Sequence, residues 1–198
     1  MRLKGTNSLK KLAETISVVL GFPWIVLLIF ILIFSSGQTS IQNLLLSLTY
    51  MFLLLIIPLG YIIFLRKKGE ISNFDITKRT QRYKPLILFL MLLVLCIGIA
   101  LITGSHMNLK YLTVLFLIVV VNIIITFYWK ISLHMTLNIV AIVFINYAYH
   151  WKLGFLFLLL PIIFWSRYYL KRHTVSQLLA GMIISGLIAY LGLMYINF

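Results

Sequence analysis

Apolar runs of roughly membrane-spanning length, separated by short polar and mostly basic stretches, recur along the whole of this 198-residue chain. That alternation constrains the fold more than any other feature. About 20 consecutive apolar residues cross a hydrocarbon core as a helix, and within lipid every backbone N–H and C=O must find its partner inside the protein. The runs cover residues 16–34, 41–65, 85–103, 111–128, 134–150, 153–165 and 175 to the C-terminus. They predict an all-α fold, a polytopic transmembrane helical bundle of about seven spans, with six as the alternative count. Residues are 63% hydrophobic and 10% charged, against about 45–50% and 25% in a soluble domain, so a soluble fold is excluded. The first run exceeds the roughly 7–15 residues of a signal-peptide core and reads as a retained span. Pro85 is expected in a first helical turn, where its missing N–H needs no partner, and Pro161 is expected to kink the sixth span. With no repeats, low-complexity tails or Pro-rich linkers, residues 1–198 read as one domain, its motif-bearing core at about 75–198.

Seventeen Lys and Arg stand against three Asp and Glu, a formal charge of +14. Because the bases sit between apolar runs, they suit lipid headgroups or a phosphate-bearing substrate, and not nucleic acid. Seven spans sort the loops by side. Even without the bases from Lys78 onward, the N-terminal side carries seven (Arg2, Lys4, Lys10, Lys11, Arg66, Lys67, Lys68) against Lys110 and Lys152 opposite. The positive-inside rule then puts the N-terminus and the loops on its side in the cytoplasm. Trp129 and Trp165 fall at that interface and Trp151 at the other. The Ile-, Leu- and Lys-rich composition fits a prokaryotic cell membrane. Cys96 is the only cysteine, which excludes an internal disulfide and Cys-rich metal sites.

Three loops on the N-terminal side collect the polar residues: 75–85 with Asp75, Lys78, Arg79, Arg82 and Lys84; 130–138 with Lys130, Ser132, His134 and Asn138; and 166–177 with Ser166, Arg167, Arg172, His173 and Gln177. Ionisable groups at membrane depth are functional candidates by default. Two histidines among cations, with almost no carboxylate, do not suit divalent-metal hydrolysis or glycoside hydrolysis. Guanidinium groups bind phosphate oxygens bidentately. One imidazole can attack phosphorus while the other protonates the leaving oxygen. The pattern points to phosphoryl transfer through a phosphohistidine, with no metal and no cofactor expected.

The second and third loops resemble the second and third motifs of the type 2 phosphatidic acid phosphatase superfamily of lipid phosphate phosphatases. The third motif, Ser-Arg, five residues, His, three residues, Asp, is matched by Ser166, Arg167 and His173, with Gln177 at the Asp position. The second, Pro-Ser-Gly-His, is matched by Ser132 and His134, with Ile131 and Leu133 in place of Pro and Gly. The first, Lys, six residues, Arg-Pro, finds Lys84-Pro85 for Arg-Pro and Thr77 at the Lys position, one residue before Lys78, with Lys78, Arg79 and Arg82 as alternative phosphate ligands. The similarity extends over about residues 75–186. It implies His173 as nucleophile, His134 as general acid, Gln177 orienting the nucleophile, and Arg167, Ser132, Lys78, Arg79 or Arg82 on the phosphate. The implied substrate and partner is a lipid phosphate: phosphatidic acid, phosphatidylglycerol phosphate or polyprenyl diphosphate. Gln177 can accept a ring N–H but supplies no charge to an imidazolium, so Asp75 or Glu70 is the expected substitute carboxylate.

Two other readings stand beside this one: a non-catalytic lipid-phosphate binder or translocator, and a phosphotransferase with an alcohol acceptor. Arg66-Lys67-Lys68 reads as a topology anchor, Lys171 and Arg172 as bases snorkelling to headgroups, and His106 and His150 as interfacial side chains opposite. The small residues Gly181, Ser185 and Gly186 read as a close-packing stripe on the last span.

Overall fold

The computed structural model describes residues 5–21 and 41–198. Among these are seven helices and no strand. They are α1 (Gly5–Val19), α2 (Ile41–Lys67), α3 (Tyr83–Ile102), α4 (His106–Tyr128), α5 (Leu133–Ala148), α6 (Leu159–Tyr169) and α7 (Val175–Tyr195). Turns of 3-10 helix lead into α3 (Arg79–Arg82) and α6 (Gly154–Leu158). Among the described residues, four segments are long and apolar enough to cross a membrane: Ile41–Lys67, Arg79–Ile102, His106–Tyr128 and Val175–Tyr195. The architecture is therefore all-helical and consistent with an integral membrane protein. The fifth and sixth apolar runs form helices too, but α5 has 16 residues. That is about 24 Å of rise against a hydrocarbon core of about 30 Å. Most of the first run, residues 22–34, lies outside the described residues.

Two prolines show how local chemistry sets these helices. Pro58 lies well inside α2, where it cannot donate to the helix ladder. The turn before it, Phe52–Ile56, is π-helical, and the Ile57 N–H bonds five residues back to Phe52 O, a local widening of the helix that accommodates the interruption. Pro161 falls in the first turn of α6, directly after the 3-10 turn. The kink expected within a continuous helix is thus replaced by a change of helix type, because a proline in the first turn has no intrahelical bond to lose. Pro85 likewise occupies the first turn of α3.

The main core lies between α4, α5 and α7, where Ile118, Met135, Val140, Leu178 and Leu193 are almost fully buried. A second core, with Leu93, Cys96 and Leu112, joins α3 and α4 to α2. Gly181 lets α5 and α7 meet: a Cβ there would lie 2.7 Å from the Ser132 carbonyl oxygen. A buried polar cluster stitches the same three helices. Asn122 Nδ2 donates to Ser185 Oγ at 3.2 Å, Thr136 Oγ1 donates to Asn122 Oδ1 at 3.1 Å, and Ser185 Oγ lies 3.1 Å from Thr136 Oγ1. The small-residue stripe of α7 is therefore used within the chain.

The helices alternate in direction, so the bundle has two distinct ends. At one, the Ser132 N–H meets the Gln177 carbonyl at 3.3 Å, joining the starts of α5 and α7. At the other, Lys110 Nζ donates to Tyr147 Oη at 2.9 Å and to Asn197 Oδ1 at 3.4 Å. The three polar loops gather at the first end.

Candidate functional site

Each site residue arrives through an identifiable piece of local structure. Arg167 lies in the last turn of α6. That helix closes with paired bonds from the Lys171 N–H to Tyr168 O and from the Arg172 N–H to Arg167 O, the reversal that glycine usually makes. Lys171 makes it here at φ +52°. The reversal turns His173 back beside Arg167, which explains why five residues separate them. Thr174 then caps α7 with a reciprocal capping box to Gln177, and Ser132 caps α5, accepting from the Met135 N–H. His134 is thereby held in the first turn of α5.

Gln177 Oε1 lies 3.2 Å from His173 Nδ1 and also accepts the Thr174 N–H at 3.3 Å. Because that oxygen already receives a backbone N–H, it serves as an acceptor, and Nδ1 must carry the ring proton. The lone pair of His173 is then on Nε2. Burial, followed by Arg167, Arg82 and Lys130, pushes the His173 imidazole down to about 3. The ring is neutral at ordinary pH.

Arg167 is 1% exposed. Its Nη1 donates to Ser17 Oγ at 2.5 Å and to Asp75 Oδ2 at 2.9 Å. Arg82, 2% exposed, reaches inward from the turn before α3. It donates through Nε to Ile76 O and through Nη1 to Ile131 O, both at 2.8 Å, tying the first loop to the second. Lys130 Nζ donates to Arg172 O at 2.8 Å. Both imidazoles lie in the electrostatic reach of Arg167 and Arg82. Among the described residues, Arg167 Nε and Arg172 Nε are buried with no hydrogen-bond partner. Buried guanidinium donors left unpaired are costly and call for an acceptor.

Asp75 faces this cluster. Its Oδ1 lies 3.8 Å from His134 Nε2, and its Oδ2 lies 4.0 Å from Arg172 Nε. Burial pushes its carboxyl up, but Arg167 and the other cations outweigh burial and hold it below the usual range. The expected substitute carboxylate thus approaches His134, not His173. Glu70, the other candidate, pairs with Lys84.

Of the three alternative first-motif ligands, the structure brings in Arg82. Lys78 is exposed and Arg79 half-buried. Lys130 and Arg172 join the cluster, although Arg172 reads from the sequence as a base snorkelling to headgroups. Ser17 carries no sequence signal for a role here, since only the packing of α1 on α6 brings it to Arg167. The capping-box spacing of Thr174 and Gln177 was a readable signal for the second duty of Gln177.

Two cavities flank the cluster. An open cleft of about 1440 Å³ is lined by His173, Lys10, Lys130, Arg172 and the aromatic rings of Trp165 and Tyr169. A smaller cavity of about 150 Å³ touches Asp75, Arg82 and His134, and continues among Phe89, Leu115 and Leu137.

Comparison with protein-family models, curated proteins and solved structures finds no match. A functional reading therefore rests on the residues and their geometry.

Proposed function

We propose that this protein is an integral-membrane lipid phosphatase, hydrolysing a phosphate monoester or diphosphate on a lipid through a phosphohistidine. The observation that carries the reading is the pair of buried, unpartnered guanidinium N–H groups of Arg167 and Arg172 beside the neutral imidazole of His173. Phosphate oxygens supply the acceptors these donors lack.

In the proposed reaction, His173 Nε2 attacks phosphorus as the bond from phosphorus to the leaving oxygen breaks. His134 takes up a proton as the phosphate anion arrives beside it and gives it to the departing alkoxide or phosphate. Water then attacks the phosphohistidine, with His134 taking its proton, and phosphate and free His173 are restored. Arg167, Arg172, Arg82 and Lys130 hold the phosphoryl oxygens, where preorganised charge stabilises the transition state. The open cleft, with its bases and aromatic rings, suits a headgroup at the membrane surface. We place this end of a seven-span bundle on the cytoplasmic side, on the charge bias of the loops, in a prokaryotic cell membrane.

One observation favours a second reading, a lipid-phosphate binder without turnover. The partner of His173 Nδ1 is the Gln177 amide, which orients the ring but brings no charge to its cationic form.

The deciding experiment measures phosphate release from phosphatidic acid, phosphatidylglycerol phosphate and polyprenyl diphosphate in detergent with chelator, for wild type and His173→Ala. Release in chelator that vanishes in a folded variant supports the phosphatase. Binding without release from any of the three supports the binder.

A further inference from the structure

Asp75 is the only aspartate in the chain, and it occupies the place an anionic ligand would take. Its carboxylate bonds to Nη1 of Arg167 at 2.9 Å and faces His134 Nε2 at 3.8 Å and Arg172 Nε at 4.0 Å. The phosphate reading assigns Arg167 and Arg172 to phosphoryl oxygens and His134 to the leaving oxygen.

The loop bearing Asp75 is built to deliver it there. Ile76, next in sequence, adopts φ +44°, a left-handed conformation that a β-branched residue rarely takes without compensation. It is held by the Arg82 Nε bond to Ile76 O at 2.8 Å. The preceding turn is closed by Asn73, whose Oδ1 accepts the Thr77 N–H at 3.2 Å and whose Nδ2 donates to Thr77 Oγ1 at 2.9 Å. A carboxylate merely neutralising surface bases would not require a strained, clamped backbone. The Asp75 side chain also keeps 29% of its surface exposed, so it has a way out toward solvent.

We propose that Asp75 is a resident competitor of the seat: it pairs Arg167 while the site is empty, and an anionic ligand binds by displacing it. This rests on the reading of Arg167 and its neighbours as a phosphate seat. Competition has a quantitative signature, because removing an internal competitor raises the affinity of every anion by the same factor, whatever its charge. A residue that repels bound ligand would instead favour a dianion over a monoanion when neutralised. A residue that supports the seat would weaken binding when lost.

The test titrates inorganic phosphate and dimethyl phosphate, a monoanion, into the purified full-length protein in detergent at pH 8. Wild type, Asp75→Asn and Arg167→Gln are compared. Asp75→Asn is expected to bind both probes tighter by about tenfold or more, the scale on which one charge shifts a neighbouring ionic equilibrium, and by matching factors. Arg167→Gln is expected to lose both. If Arg167→Gln loses phosphate while Asp75→Asn binds it no tighter, the seat stands and the competitor is refuted. Gains differing several-fold between the probes also refute it, in favour of repulsion. If Arg167→Gln binds as wild type does, the seat reading fails and takes the competitor with it. Should Asp75→Asn not fold, wild type labelled with ¹³C at aspartate side-chain carboxyls gives a single-residue infrared reporter. Phosphate is expected to shift its carboxylate stretch, and an unmoved band at saturation overturns the proposal.

Discussion

The close approach of α5 and α7 at Gly181 can be tested by adding one methyl group. In Gly181→Ala the new Cβ would stand 2.7 Å from the Ser132 carbonyl oxygen, so the helices must retreat by about 0.7 Å to reach an ordinary 3.4 Å contact. The obstacle is backbone and cannot rotate away. Overpacking of this kind costs about 1–3 kcal/mol, while replacing Gly by Ala inside a helix returns about 1 kcal/mol. With a rigid obstacle the upper part of the range applies, and the net loss is about 1–2 kcal/mol. For a chain of this size that lowers Tm by about 2–8 °C. The same retreat stretches the 3.3 Å bond between the Ser132 N–H and the Gln177 carbonyl, and so moves His134 away from His173. Phosphate affinity is expected to fall together with Tm. Gly60 and Gly98 are the controls, since a Cβ at either meets nothing within 4 Å; Ala at these positions is expected to leave Tm unchanged or raise it. A Gly181→Ala protein that melts with wild type, while Gly98→Ala behaves as expected, would refute the packing argument.

Other expectations follow from the same geometry. Ser17→Ala removes the hydroxyl that accepts from Arg167 Nη1 and is expected to cost about 1.5–3 kcal/mol, the range for a bond to a charged group, seen as a lower Tm and weaker phosphate binding. Lys171→Gly relieves a left-handed residue at φ +52° and is expected to stabilise the protein by about 1 kcal/mol, read from the same melts. His173 titrates at about 3 in the folded protein against an ordinary 6.5, so the unfolded chain binds the extra proton between those values. Stability is therefore expected to fall as pH drops from 6.5 toward 3, and His173→Gln should flatten that slope. The Asp75 contribution, whose folded value lies below the ordinary 3.8, is lost only at the acid end of this window.

Hydrophobic length carries most of what the sequence by itself determined. A backbone in lipid must pair all its own polar groups, so runs of apolar residues become helices whatever their neighbours are. The observed segments Ile41–Lys67, His106–Tyr128 and Val175–Tyr195 lie close to the runs read at 41–65, 111–128 and 175 onward. Antiparallel connection by short turns likewise dictated that the three polar loops meet at one end. Local caps were legible in the same way, because Ser132 and Thr174 act on backbone within three residues of themselves. The arrangement inside the site depended on contacts between distant segments, which no spacing encodes. Packing of α1 on α6 brings Ser17 to Arg167, 150 residues away. The clamp on the first loop selects Arg82 over Lys78 and Arg79, and turns Asp75 toward Arg167 and His134. Apolar periodicity specifies which residues leave water, but the partners of a buried charge are chosen by the three-dimensional packing that strips its solvent away.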